Sequence, residues 1–321
     1  MNSTSWIGID IGGTKILGCL VDSTGVVTHQ KTVRTPLVSS ASIEDALVGL
    51  TQSLLRMATD IRAVAIAVAG WVDPLRRSVL FAAHLPWNRE PLADKLSSRL
   101  GMSVVLENDA RAATWAEYQF GVGRQFRDFI VVTVGSGIGC GIVADGRLLR
   151  GAHGLAGELG HAVVEPDGPP CPCGRRGCVD ILASGRALER HFQELRAATL
   201  PIHGVLSSAG EDDPMTGEAI AAAAREADPP ALQAFTDVGN FLGRGLADLV
   251  MCLDPEAVVL AGGVSAAGEL LRAPTEASLR RCLVVREHIA QTSVVLGSLG
   301  AVAGAVGVAH LAALQTDVSA R

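Results

Sequence analysis

The chain has no basic run longer than a few residues, and its formal net charge is −6. A nucleic-acid surface needs a clustered cationic face, so binding to phosphate backbones is not expected. The opening "MNSTSWIGID" lacks a basic segment followed by an apolar run, so no secretory leader is expected. Nor is there an apolar run of the ~18–20 residues that a membrane span requires. The nearest, "LGAVAGAVGVAHLAAL" at 299–314, is shorter, rich in Gly and Ala, and interrupted by His310. It reads as a closely packed buried helix. Seven cysteines, an odd number without a leader, suggest a reducing compartment and a cytoplasmic location.

What is present is a globular composition. The 321 residues are 48% hydrophobic and 19% charged, which permits a large core and either two domains or one big one. "WIGIDI" (6–11) alternates as a strand, "GGTK" turns the chain, and "ILGCLVD" continues as a second strand. A third strand is expected near 26–34, with others at 61–69, 77–82 and 102–107; helices are expected at 43–58, 90–100 and about 110–119. Strands alternating with helices imply an α/β sheet. After residue 120, "FIVVTVGSGIGCGIVADGRLL" repeats the strand–turn–strand form. Gly12, Gly18 and Asp22 fall on Gly135, Gly141 and Asp145, which suggests two related sheets. Further helices are expected at 183–196, 231–253 and 267–282, around a buried strand in "EAVVLAGGVS". Gly239 and Gly243 lie one turn apart on the second of these helices and permit close packing. The segment 198–214 reads as a flexible loop.

Two common phosphate-binding motifs are missing. "DIGGTK" has neither the spacing nor the following helix of a Walker A loop, and it continues as a strand where a dinucleotide fingerprint would open a helix. A hairpin of Gly12, Gly13, Thr14 and Lys15 still suits phosphate, because glycines let N–H groups converge and the last two residues add a hydroxyl and a charge. Asp10, at the strand end, is placed to hold Mg²⁺ through water. An ordinary hairpin would also use Gly-Gly. Two more strand-end glycine turns, at Gly135–Ser136–Gly137 and at Gly262–Gly263, favour a nucleotide site.

"VVLENDARAATW" places Glu107, Asn108 and Asp109 where a strand hands over to a helix, the usual ligand end of an open α/β sheet. A carboxylate there can orient a hydroxyl and take its proton during phosphoryl transfer. The alternative is that Asp109 or Asn108 only caps the helix. Further on, His161, Cys171, Cys173 and Cys178 follow the spacing H-x9-C-x-C-x4-C. One imidazole and three thiolates make a closed tetrahedral Zn²⁺ set. Gly174 and Gly177 let the chain fold back between the last two thiolates, and Arg175 and Arg176 offset the charge. Cys19 and Cys140 in strands and Cys252 in an apolar helix read as small structural hydrophobes.

Taken in order, "DIGGTK", "LENDARAA", "VGSGIGCGI", "GELGH", "CPCGRRGCVD", "ASGRAL" and "AGGVS" resemble the ROK family of bacterial sugar kinases and related regulators. Within it, "GWVDPLRRSVLFAAHLPWNREPL" is most similar to the glucose kinases. The resemblance implies an actin-like ATPase (ribonuclease H-like) fold, with two α/β domains around a cleft. Residues 1–119 would form the smaller domain, with a C-terminal helix at 302–316 packing back on it, and 120–301 the larger domain with the metal motif. It further implies Asp109 as catalytic base, and Gly70, Asn108, Glu158, His161 and Asp180 in the sugar site, His161 doubling as zinc ligand. Asp10 and residues 12–15 would serve Mg²⁺ and phosphates, and 135–137 with 262–263 would complete an ATP site.

The implied activity is ATP-dependent phosphorylation of a hexose, most simply glucose, by a cytoplasmic homodimer or tetramer. Mannose, fructose, N-acetylmannosamine and N-acetylglucosamine are alternative acceptors, and polyphosphate is an alternative donor that the glycine turns disfavour. A non-catalytic sugar-binding protein or a DNA-binding regulator are the other readings; the first strand, starting by residue 6, leaves no room for a helix-turn-helix ahead of it. Several positions depart from the family pattern. Asp180 replaces a Glu that contacts sugar, His84 an Asn, Ala69 a Pro, Arg111 a common Asn, and Ser136 a Thr.

Overall fold

The structure, a computed structural model, describes residues 5–58, 60–199, 215–283 and 291–319. In chain order it contains β1 (Ser5–Ile11), β2 (Lys15–Asp22), β3 (Val27–Arg34), α1 (Ser40–Leu55), β4 (Ile61–Val68), β5 (Trp71–Val72), β6 (Val79–Phe81) and β7 (Asn88–Glu90). Then follow α2 (Leu92–Leu100), β8 (Val104–Asn108), α3 (Asp109–Phe120), β9 (Phe129–Val134), β10 (Ile138–Ala144) and β11 (Arg147–Leu148). The rest is α4 (Val179–Ala183), α5 (Gly185–Thr199), α6 (Gly217–Arg225), α7 (Pro229–Leu253), β12 (Ala257–Ala261), α8 (Glu269–Cys282), β13 (Ser293–Leu296) and α9 (Ala303–Ser319).

Two five-stranded sheets have the same topology. The orders are β3-β2-β1-β4-β8 and β11-β10-β9-β12-β13, with β5-β6-β7 as a small third sheet. In the first, β1 and β2 form the expected hairpin, in register from Ser5↔Asp22 to Ile11↔Ile16, and β4 runs parallel to β1. The glycine matches seen in sequence therefore mark a real topological repeat.

The chain divides into two compact units. The first is Met1–Val132, Cys140–Gly157 and Gly297–Arg321; the second is Thr133–Gly139 and Glu158–Leu296. Against the expected break after residue 119, this grouping carries 120–132 and 140–157 with the first unit.

In the first unit the central sheet sorts its side chains by size. Ile7, Ile9, Ile11, Val64, Ile66 and Val68 face one way and pack with α1 and α2. Trp6, Leu17, Ala63, Ala65 and Ala67 face the other way, toward α3 and α9. Alternation along β1 and β4 produces this split, since successive strand residues point to opposite faces. The alanine face lets α9 approach closely, and Ala305, Val308, Ala309 and Ala312 are fully buried there. The 299–314 stretch is thus the packed helix the sequence suggested. Among the described residues no helix is long and apolar enough to cross a membrane.

In the second unit α7 begins at the N-cap Asp228, whose side chain accepts from the Ala231 N–H at 3.0 Å, and Pro229 takes the first helical position. Leu242 and Leu246 on α7 are fully buried, while Leu232 at its start is exposed. Gly239 and Gly243 admit α8: a Cβ on Gly243 would meet the Thr275 carbonyl oxygen at 2.5 Å. Cys19 and Cys140 are buried as expected, but Cys252 is exposed, so it does not fill the core there. Its place near the end of α7 puts it outside the buried stripe that the helical spacing predicts. The loop expected at 198–214 falls, from residue 200, outside the described residues.

Candidate functional site

In the first unit, β8 delivers Asn108 to the start of α3. The Asn108 Oδ1 accepts the Arg111 N–H at 3.0 Å and so caps the helix. Its Nδ2 donates to the Gly70 carbonyl at 3.2 Å and to Asp109 Oδ1 at 3.0 Å. Asn108 therefore does two jobs: it caps α3 and it fixes the orientation of the neighbouring carboxylate. The N-cap of α3 is therefore Asn108 and not Asp109. Asp109 sits in the first turn of α3, at the positive end of the helix dipole. Gly70 lies so close to β6 that a Cβ would stand 2.6 Å from the Phe81 carbonyl oxygen.

Asp10 closes β1 beside this site. Burial first, and then the nearby Asp109 carboxylate, push its pKa up to about 7, with Lys15 opposing. A Cβ on Gly304, at the start of α9, would meet Asp10 Oδ2 at 2.5 Å, so glycine there makes room for the carboxylate. Two crowded carboxylates with one opposing lysine form an environment that a cation relieves, which fits the Mg²⁺ role expected of Asp10. The adjoining turn is closed by Gly12 N–H to Lys15 C=O at 3.0 Å and braced by Thr35, whose hydroxyl donates to the Gly12 carbonyl at 2.8 Å. Thr14 and Lys15 are exposed. His84 approaches this turn: a Cβ on Gly13 would lie 3.5 Å from the His84 Cβ.

Beneath Asn108 lies an ionic cluster that sequence reasoning missed. Glu107 is 1% exposed, and its carboxylate meets Arg150 Nε at 2.8 Å, Arg111 Nε at 3.2 Å and Arg76 Nε at 3.6 Å. Glu107 Oε1 also accepts the Asn108 N–H at 3.1 Å. Arg111 Nη1 donates to the Gly154 carbonyl at 3.0 Å, tying α3 to the segment ahead of Glu158. Burial lowers the Arg76 pKa to about 10, with Glu107 opposing and Arg150 and Arg111 adding to the fall. Glu107 stood out in sequence as part of "END" and Arg111 as a departure from the family pattern, and their i,i+4 spacing could have signalled the pair; Arg76 and Arg150 arrive from distant positions, and no spacing links them to it.

In the second unit the four expected metal ligands converge. One ligand atom from each of His161, Cys171, Cys173 and Cys178 lies within 4.8 Å of all the others. Cys171 Sγ stands 3.9 Å from His161 Nδ1, and Cys173 Sγ stands 3.6 Å from Cys178 Sγ. A tetrahedral zinc with bonds of about 2.3 Å has edges of about 3.8 Å, so the four donors fit that ion. All three thiols are free. Gly177 adopts φ +62°, and a Cβ there would fall 1.6 Å from the Glu165 carbonyl oxygen, so only glycine closes the loop. The Cys171 N–H donates to the Arg175 carbonyl at 2.8 Å, and the Arg175 guanidinium donates to the His161 carbonyl at 3.3 Å. Burial pushes the Cys178 thiol up to about 12, so a bound cation would have to displace its proton.

The same unit joins two of the three glycine turns. Gly262, at φ +86°, lies against Val134, where a Cβ would meet the Val134 carbonyl oxygen at 2.6 Å; Gly135 follows directly. The Gly185 N–H donates to the Gly135 carbonyl at 2.7 Å. Glu158 starts the short 3-10 turn Leu159–His161. Gly160 presses on the start of β10, where a Cβ would stand 2.5 Å from the Ile138 carbonyl oxygen. Asp180, expected at the sugar, accepts the Ile138 N–H through Oδ1 at 2.6 Å. Of the expected site residues, Asp10, 12–15, Gly70, Asn108 and Asp109 belong to the first unit, and 135–137, Glu158, His161, Asp180 and 262–263 to the second.

Residues 6–315 match the model of the ROK family. The chain is 41% identical over 308 residues to a glucokinase of Streptomyces coelicolor, covering 95% of this chain and 96% of that one. It is 34% identical to an N-acetylmannosamine kinase of Citrobacter koseri, with 96% and 98% covered. Its structure superposes with a TM-score of 0.88 on a ROK family glucokinase from Streptomyces griseus, crystallised with glucose and AMPPNP, at 42% identity, covering 96% of this chain and 98% of that one.

Proposed function

The chain belongs to the ROK family and has its actin-like ATPase fold, and we propose that it is a glucokinase, transferring the γ-phosphoryl group of ATP to the 6-hydroxyl of glucose. The observation that carries this is Asp109, relieved of capping by Asn108 and oriented by its amide, in a chain 41% identical to a glucokinase. In that reading Asp109 accepts the hydroxyl proton as the oxygen–phosphorus bond forms and ADP leaves in line. Gly70, Asn108, Glu158 and His161 would bind the sugar, while residues 12–15, 135–137 and 262–263 would serve the nucleotide. Lys15 adds positive charge where the phosphates would lie.

Mg²⁺ carried with ATP would be held near Asp10, where it supplies charge neutralisation for the phosphates. Zn²⁺ would be held by His161, Cys171, Cys173 and Cys178 in a structural role, fixing the loop that carries His161. The protein would work in the cytoplasm as a homodimer or homotetramer, with no nucleic acid or membrane partner.

The test is ADP release, coupled to a dehydrogenase, across glucose, mannose, fructose, N-acetylmannosamine and N-acetylglucosamine, each with ATP and with polyphosphate. Glucose with ATP should give the highest kcat/KM. A second reading, a kinase for N-acetylated hexosamines, is favoured by the N-acetylmannosamine kinase relative and would show as the reverse order.

A further inference from the structure

Asp180 sits in the first turn of α4, two residues after Cys178. It is half-buried, and its Oδ1 accepts the backbone N–H of Ile138 at 2.6 Å. Ile138 opens β10 directly after Gly135–Ser136–Gly137. Hydrogen bonds to an ionised acceptor are shorter and about twice as strong as neutral ones. The turn is built around this contact: a Cβ on Gly137 would lie 2.8 Å from Asp180 Oδ1, so any side chain there would displace the carboxylate. A second brace comes just past α4, where the N–H of Gly185, the first residue of α5, bonds the Gly135 carbonyl at 2.7 Å. Within the turn, the Gly135 N–H bonds the Gly137 carbonyl at 3.0 Å, and Ser136 at its tip is exposed.

We propose that Asp180 is a positioning residue for the nucleotide side of the site: its carboxylate fixes the 135–138 turn that cradles the phosphates, and it makes the Cys/His loop the anchor of that turn. This rests on the kinase reading above. It goes beyond it by giving the acid that closes "CPCGRRGCVD" a role in nucleotide affinity in place of a sugar contact. The α4 helix then acts as a short rigid link, with the metal loop ahead of it and the glycine turn braced from its first turn and from just past its end.

The experiment measures binding of AMPPNP with Mg²⁺ and of glucose separately, by calorimetry, on the zinc-loaded full chain and its variants, with zinc content and melting temperature recorded. Asp180→Ala should weaken AMPPNP about 10-fold or more and leave glucose within about twofold, because it removes a charge-assisted hydrogen bond. Asp180→Asn, which keeps an acceptor, should recover most of that loss. Gly137→Ala should reproduce the AMPPNP defect by crowding the carboxylate; it carries the same expectation if Asp180→Ala does not fold. A 10-fold loss of glucose affinity with AMPPNP unchanged would overturn the proposal in favour of a sugar contact. Unchanged affinity for both ligands would overturn it as well. Failure of the unmutated chain to bind either ligand would count against the kinase reading itself.

Discussion

Replacing Asp10 by Asn should change stability in a way that depends on pH with a predictable sign. Burial and the Asp109 carboxylate raise the Asp10 pKa from its ordinary 3.8 to about 7. The folded chain therefore holds this proton more tightly than the unfolded chain does. The resulting stabilisation is full below about pH 3.8 and is lost as the pH rises through about 7. With 1.36 kcal/mol per pKa unit, the contribution falls by roughly 3 kcal/mol between pH 5 and pH 8. Asn has the same shape and no charge, so it escapes this loss. Denaturant unfolding of both proteins, without nucleotide or Mg²⁺, should show Asp10→Asn gaining about that amount on the unmutated chain from pH 5 to pH 8. Titrating groups remote from Asp10 are shared and cancel in the difference. The same variant should bind Mg²⁺-nucleotide more weakly, separating stability from function. A stability difference that stays constant across the range, or falls, would refute the description of Asp10 as a crowded carboxylate.

Glu107→Gln should destabilise the first unit by about 3–5 kcal/mol, because it leaves the buried Arg76 and Arg111 charges without their counter-ion. Urea unfolding checks this, and a loss under 1 kcal/mol would show that the cluster is held by other contacts. Cys178→Ser should remove zinc measured by elemental analysis and lower the melting temperature, and activity should fall with zinc content; full activity in metal-free protein would end the structural role. Gly177→Ala should do the same without touching a ligand, since its Cβ cannot fit beside the Glu165 carbonyl.

The parts of this account legible in sequence are those encoded locally. Strand alternation in "WIGIDI" and the apolar run at 61–69 predict the central strands of the first sheet, and the paired hairpins suggest the second, related sheet. The H-x9-C-x-C-x4-C spacing predicts the clamp because its ligands are close in the chain as well as in space. What spacing cannot carry is contact between distant segments. Nothing in "DPLRRS" points Arg76 at Glu107, and nothing in "VDILA" says that Asp180 turns toward Ile138. The Asn108 and Asp109 question was ambiguous for another reason: a residue that caps a helix and one that acts on substrate share the same position and chemistry. Hydrogen-bond geometry separates them, giving the cap to Asn108. The exposure of Cys252 shows the limit of helical spacing near the end of a long helix, where the buried stripe ends before the apolar residues do.

Asp109→Asn tests the central claim most directly. A general base contributes about 10²–10⁴-fold to rate, so kcat for glucose phosphorylation should fall by about that factor or more. Glucose and AMPPNP affinities, measured by calorimetry on the same preparation, should stay within a few-fold of the unmutated chain. Retention of turnover within tenfold, at unchanged affinity, would contradict Asp109 as the group that takes the hydroxyl proton.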